Sequence, residues 1–128
     1  MAGRGSANGL DPRYLAYFDC FNRGLYYEAH EVLEKLWLKD RQGANGPFYK
    51  GLIQLTAAFV HLQKGRPGPA AALLKLAAAN LTQYPGTHDR LAMPAVLALI
   101  EHWLARLERG DAPSRLLRSE PVPLLRLE

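Results

Sequence analysis

Apolar residues recur at helical spacing in five successive stretches of this chain, and the segments between them are rich in turn-forming residues. In the first stretch Asp11 and Pro12 read as an N-cap and a first-turn proline, followed by Tyr14, Leu15, Phe18 and Phe21; Asn22, Arg23 and Gly24 close it. The second runs from about Leu25 to Lys39. Tyr26, Ala29, Leu33, Leu36 and Trp37 fall on one side of it, and Glu28, Glu31, Lys35 and Lys39 on the other. A polar loop over 40–47 leads to a third helix, from about Phe48 to Lys64, which is apolar most of the way round and therefore belongs in the middle of a bundle. The break at 65–69 places Pro69 in the first turn of a fourth helix with the stripe Ala70, Leu73, Leu74, Ala77, Leu81 and Tyr84. In the fifth, Thr87 and Asp89 are candidate caps, Pro94 lies near the start, Val96, Leu99, Ile100, Trp103, Leu104 and Leu107 share a face, and Gly110 ends the run. No segment alternates strongly enough to read as a strand.

The chain also resembles itself. Shifted by 41 residues, FNRGLYYEAHEVLEK aligns with LQKGRPGPAAALLKL, so that Gly24 meets Gly65, Ala29 meets Ala70, Val32 meets Leu73 and Leu33 meets Leu74. Each copy ends a helix, turns on a basic residue and a glycine, and presents an alanine and two aliphatics on the next helix. The fold class this implies is all-α: five helices in two stacked αα-hairpins plus a closing helix, in the style of tetratricopeptide repeats. Glu28, His30, Glu31 and Glu34 correspond to Pro69, Ala71, Ala72 and Lys75, so hairpin packing alone does not call for the acids and the histidine of the first copy.

A length of 128 residues with 48% hydrophobic content suits a single domain over 11–110, with a flexible arm at 1–10 and an extended tail at 111–128. The tail holds prolines together with Val122, Leu124, Leu125 and Leu127, which a disordered segment would rarely carry. Part of it is expected to lie against the bundle or to join a second subunit as a homo-oligomer. Cys20 is the only cysteine, which excludes an internal disulfide and a cysteine metal cluster and points to a reducing, cytoplasmic setting. The start has no apolar run of the signal-peptide kind, and no stretch approaches a membrane span. The net charge of +4 raises nucleic acid as a partner, but the sixteen Lys and Arg are scattered singly and form no basic face interleaved with aromatics, which argues against it.

Candidate chemistry gathers on the second and third helices. His30 lies at the edge of the apolar stripe, with Glu34 one turn on. Along the third helix Gly51, Gln54, Ala58 and His61 form a strip in which small and polar residues alternate. If these two helices pack antiparallel, His30 and Glu34 face Gln54 and His61, and the four can hydrogen-bond across a close crossing. The same seam can serve as a groove for a protein partner or small ligand, with His30, Glu31, Glu34, Trp37, Gln54 and His61 as the binding set and Tyr27 on the wall. A metal-dependent, hydrolase-like enzyme using His30, Glu34 and His61, with Glu31 or Glu34 as base, is the alternative. HEVLE is not the His-Glu-x-x-His of zinc hydrolases, and no Glu-x-x-His pair is present, so these motifs name no particular metal and the cofactor is left unknown. Trp37 and Trp103 sit on apolar stripes and read as core residues. Cys20 reads as an inert buried thiol, and His88 and His102 have no sequence neighbours that suggest chemistry.

The blocks FNRGLYYEAHEVLEKLW and GLIQLTAAFVHLQKG, in this order and at this distance, resemble the domain-of-unknown-function family 309, small all-helical proteins of bacteria and archaea. The matching residues include Phe21, Asn22, Gly24, Glu28, Ala29, His30, Glu31, Glu34 and Trp37, then Gly51, Leu52, Ile53, Gln54 and His61, within about Phe18 to Tyr84. The resemblance implies a compact helical bundle and assigns no activity, substrate or cofactor. Where the family often has Gly-Asn before the fourth helix, this chain has Gly65, Arg66 and Pro67, which bears on where that helix starts.

Overall fold

The computed structural model describes residues 9–111 and 122–128. Most of the expected N-terminal arm, 1–8, and the first part of the tail, 112–121, lie outside the described residues. Five helices follow in order: α1 (Pro12–Asn22), α2 (Tyr26–Lys39), α3 (Gly46–Gln63), α4 (Pro67–Leu81) and α5 (Met93–Glu108). The all-α expectation holds. Asp11 caps α1 as its sequence position predicts, accepting from the Arg13 N–H at 2.7 Å.

The central helix is α3, with eleven of its eighteen residues buried. It packs against α2 on one side and α4 on the other, and it also reaches the first and last helices. The Tyr17 hydroxyl donates to the Leu52 carbonyl at 2.8 Å, and the Phe59 ring meets Trp103 edge-on at 5.1 Å. The core around α1 and the start of α2 is aromatic: Tyr14, Tyr17, Phe18, Phe21 and Tyr26 are all buried. Against α4 it is aliphatic, built from Ala70, Leu74, Ala77 and Leu81.

The 41-residue correspondence reappears as hydrogen bonds. At the end of α1 the N–H groups of Gly24 and Leu25 bond the carbonyls of Phe21 and Cys20; at the end of α3 those of Gly65 and Arg66 bond Leu62 and His61. Both glycines take positive φ, +76° and +72°, the left-handed cap that ends a helix while satisfying its last carbonyls. A third copy closes α5, with Gly110 bonding Leu107 and Asp111 bonding Arg106. Ala29 and Ala70, and Leu33 and Leu74, are fully buried in turn.

Two expectations need correction. The fourth helix begins at Pro67, two residues before the expected Pro69, because the Schellman turn on Gly65 ends α3 at once and Pro67 then takes a first-turn position without needing its missing N–H. Thr87 and Asp89 do not cap α5. Instead Thr87–His88 and Leu91–Ala92 pair as a minimal antiparallel hairpin, register Thr87 to Ala92 and His88 to Leu91. The turn residues Asp89 and Arg90 both have positive φ, 45° and 67°, as a two-residue hairpin turn requires. Strands of two residues leave no alternation to read in sequence.

Candidate functional site

The turn after α1 sends α2 back along α3, so the first residues of α2 meet the last turns of α3. Tyr26 stacks on Phe59 with ring centroids 4.9 Å apart, and Phe21 packs edge-on to both rings. These three aromatics fix the crossing from beneath. At the surface, the Gln63 side-chain amide donates to the Gly24 carbonyl at 3.3 Å and ties the end of α3 to the first turn. Beside this crossing lies a cleft of about 160 Å³, lined by Tyr27 and His30 on α2 and by Ala57, Val60, His61 and Lys64 at the end of α3.

Both histidines expected to meet do line this cleft. His30 and His61 are half-buried, and the His61 Nδ1 is fully buried with no hydrogen-bond partner. A buried imidazole nitrogen left unpaired costs on the order of 1–3 kcal/mol, and nothing on the neighbouring helices offsets that here. Tyr27 stands beside them with 59% of its surface exposed. Lys64 adds a cation to the rim, and no carboxylate lines the opening.

The rest of the expected constellation is distributed differently. Gln54 does not bond across to α2: its carbonyl oxygen accepts from the Asn80 amide of α4 at 2.8 Å. The reason lies one turn earlier, where a Cβ on Gly51 would come within 2.7 Å of the Leu81 side chain. The small-residue strip therefore admits α4, and that close approach takes Gln54 with it. Glu31 is exposed on the solvent face of α2 and Glu34 is half-buried, and neither lines the cleft. Trp37, two turns beyond His30, is half-buried with the Lys50 ammonium 4.5 Å from its ring and the Arg41 guanidinium at 5.8 Å. Among the described residues no three His, Cys, Asp or Glu side chains converge in a way that could hold a metal ion, so His30, Glu34 and His61 do not form the ligand set that the enzymatic alternative requires.

Lys64 and Val60 went unread as site residues, although both fall within one turn of His61 on the same helix. His88, which no sequence neighbour marks for chemistry, belongs to a structural network. Its Nε2 lies 2.7 Å from Asn45 Oδ1, while the Asn45 amide donates to Asp89 Oδ2 at 2.8 Å and to the Tyr49 hydroxyl at 3.2 Å. This network anchors the hairpin to the start of α3 from 43 residues away, too far for sequence spacing to show. Beside it the Tyr84 hydroxyl accepts from the Phe48 N–H at 3.1 Å and donates to the Ala44 carbonyl at 2.8 Å, supplying a partner to an otherwise orphaned donor at the α3 N-terminus. Cys20 is half-buried, and burial raises its thiol pKa, with Asp19 and Glu28 adding to the effect, so it stays protonated and unreactive at neutral pH.

A second, larger cleft of about 390 Å³ lies between α4 and α5, lined by Ala78, Ala79, Thr82, Leu97, Ile100, Glu101 and Leu104. It is apolar apart from Thr82 and Glu101, and among the described residues no buried side-chain polar atom lining it is left unpaired.

With the cleft placed between α2 and α3, comparison with known proteins bears directly on it. Residues 14–73 match the family model described as a domain of unknown function, DUF309. The resemblance carried by the two sequence blocks is thus shown, and the DUF309 segment takes in α1, α2, α3 and the first turns of α4, with every cleft residue inside it. An uncharacterized protein of Aquifex aeolicus (strain VF5) is 28% identical over 93 residues, 73% of this chain but 28% of that relative's length. The chain thus spans under a third of the relative it matches. No solved structure matches it. No helix among the described residues is long and apolar enough to cross a membrane.

Proposed function

We propose that this chain is a helical binding module whose α2–α3 cleft receives a carboxylate group, carried by a small molecule or by a protein partner. The observation that carries the reading is a single cleft that gathers His30, His61, Lys64 and the exposed Tyr27, with no carboxylate among its lining residues. A carboxylate supplies two acceptor oxygens to imidazole and ammonium donors, and a charge-assisted bond of this kind is about twice as strong as a neutral one. The Tyr27 ring offers an apolar wall for the carbon skeleton behind that group. Glu34 and Trp37 lie one and two turns further along α2, where only a ligand longer than the cleft would meet them, and Glu31 and Gln54 stay outside its reach. A cytoplasmic setting, suggested by a chain with a single cysteine, fits the same reading.

The test is a titration of ¹⁵N-labelled protein with succinate, followed at the imidazole resonances. Saturable shifts of His30 and His61, with His88 and His102 unmoved, are the expected result. If all four rings respond alike, or none responds at millimolar succinate, the cleft does not bind carboxylates.

A further inference from the structure

The tail segment 122–128 runs from the end of α1 to the small hairpin, and the way it is held differs from the packing of the helices. Asn22, the last residue of α1, grips the Leu125 backbone with both ends of its amide: Nδ2 donates to the Leu125 carbonyl at 2.8 Å, and Oδ1 accepts from the Leu125 N–H at 2.7 Å. Further along, Leu127 pairs with Leu91 in an antiparallel bridge on the free side of the small hairpin. The Glu128 N–H donates to the Arg90 carbonyl at 2.6 Å, and the Arg90 guanidinium donates back to the Glu128 backbone oxygen. Pro123 and Leu125 are buried and Leu127 half-buried, while the intervening Val122, Leu124 and Arg126 are exposed. This is the period of a strand laid on an edge.

The contacts that hold the segment are made to its backbone, which every peptide shares, and its side chains enter only at alternate positions. Recognition by strand addition works in this manner, main-chain bonds giving affinity and alternate pockets giving selectivity. Leu125 reaches the core, but Val122 and Leu124 leave 51% and 50% of their surface to solvent, so only one face of the segment is used. We infer that the groove between the end of α1 and the Leu91 edge is a peptide-binding site, that residues 122–128 are its resident occupant, and that its partner is an extended peptide with apolar residues at every second position. The resident belongs to the same chain, so its binding is intramolecular and any incoming peptide competes against it at a disadvantage. The site is separate from the α2–α3 cleft and does not depend on that reading.

The experiment uses the full chain and a fluorescein-labelled peptide of the sequence of residues 122–128, read by fluorescence anisotropy. Leu125→Asp in the protein weakens the resident. Saturable binding to that variant, roughly ten-fold or more tighter than to the unaltered protein, is expected once the tethered competitor is removed. Adding Asn22→Ala should abolish it; should that protein fail to fold by circular dichroism, Asn22→Asp, which keeps one acceptor and loses the donor to the Leu125 carbonyl, should weaken it instead. A concentration-dependent dimer of the unaltered protein that disappears in Leu125→Asp would also support the site and identify a second copy as the source of the strand. Failure of the peptide to bind Leu125→Asp, or binding indifferent to Asn22, would show the segment to be a fixed strap and overturn the proposal.

Discussion

The first and second hairpins are built on one plan and filled differently. Both turn on a left-handed glycine, Gly24 and Gly65, with the same two capping bonds 41 residues apart, and both bury an alanine and a leucine at matching positions. The first interior is aromatic, with Tyr14, Tyr17, Phe21 and Tyr26, and its second helix carries His30 and Glu34 where α4 has Ala71 and Lys75. The second interior is Ala and Leu, drawn close to α3 at Gly51. The backbone plan therefore requires neither the imidazole at position 30 nor the carboxylate at 34. What the first hairpin adds is aromatic packing in its interior and a cleft that gathers two imidazoles at the α2–α3 surface.

The contrast in interiors should show most strongly in alkali. Burial raises the hydroxyl pKa values of Tyr14 and Tyr17 well above the ordinary range and lifts Tyr26 to about 12, while Asp89 nearby adds to the effect at Tyr14. A folded pKa raised above the unfolded one contributes stability that is complete below the unfolded value and lost as pH climbs toward the folded value. Above pH 10 each such tyrosine should cost about 1.4 kcal/mol per pH unit, or about 4 kcal/mol per unit for the three together. Urea unfolding at a series of pH values would measure the slope, and a flat profile would mean that the first interior is open to water.

The close α3–α4 approach should make Gly51→Ala costly. The added methyl would sit 2.7 Å from the Leu81 Cγ, and overpacking of this kind costs about 1–3 kcal/mol. Ala57→Val, on the lining of the α2–α3 cleft, should be milder, so equal effects would blur the distinction between the two seams. Smaller again are the matched turns. Gly24→Ala and Gly65→Ala each place a side chain in the left-handed region with nothing within 4 Å to clash, so each should lose about 1–2 kcal/mol from backbone strain alone. Thermal melts giving clearly unequal losses would break the equivalence of the two turns.

Much of this was readable before any coordinates. The five helices were legible because their stripes keep a 3.6-residue period, and Asp11, Gly24, Gly65 and Gly110 mark ends by local chemistry that needs no tertiary help. That His30 and His61 border one cleft follows from a short connection that sets neighbouring helices antiparallel. Gln54 was misplaced because a strip on a central helix can face either neighbour, and only the Gly51–Leu81 approach decides which. His88 and Asn22 were out of reach for another reason: their partners, Asn45 and Leu125, lie 43 and 103 residues away, and no periodicity spans such gaps.

The central claim is that the histidine cleft is carried by the fold without supporting it. The most direct measurement is the unfolding free energy in urea of the double variant His30→Ala, His61→Ala. No bond is lost with either ring, and a buried unpaired nitrogen is removed, so the variant should stay within about 1 kcal/mol of the unaltered protein. A loss of several kcal/mol would mean that the two imidazoles are structural members of the seam.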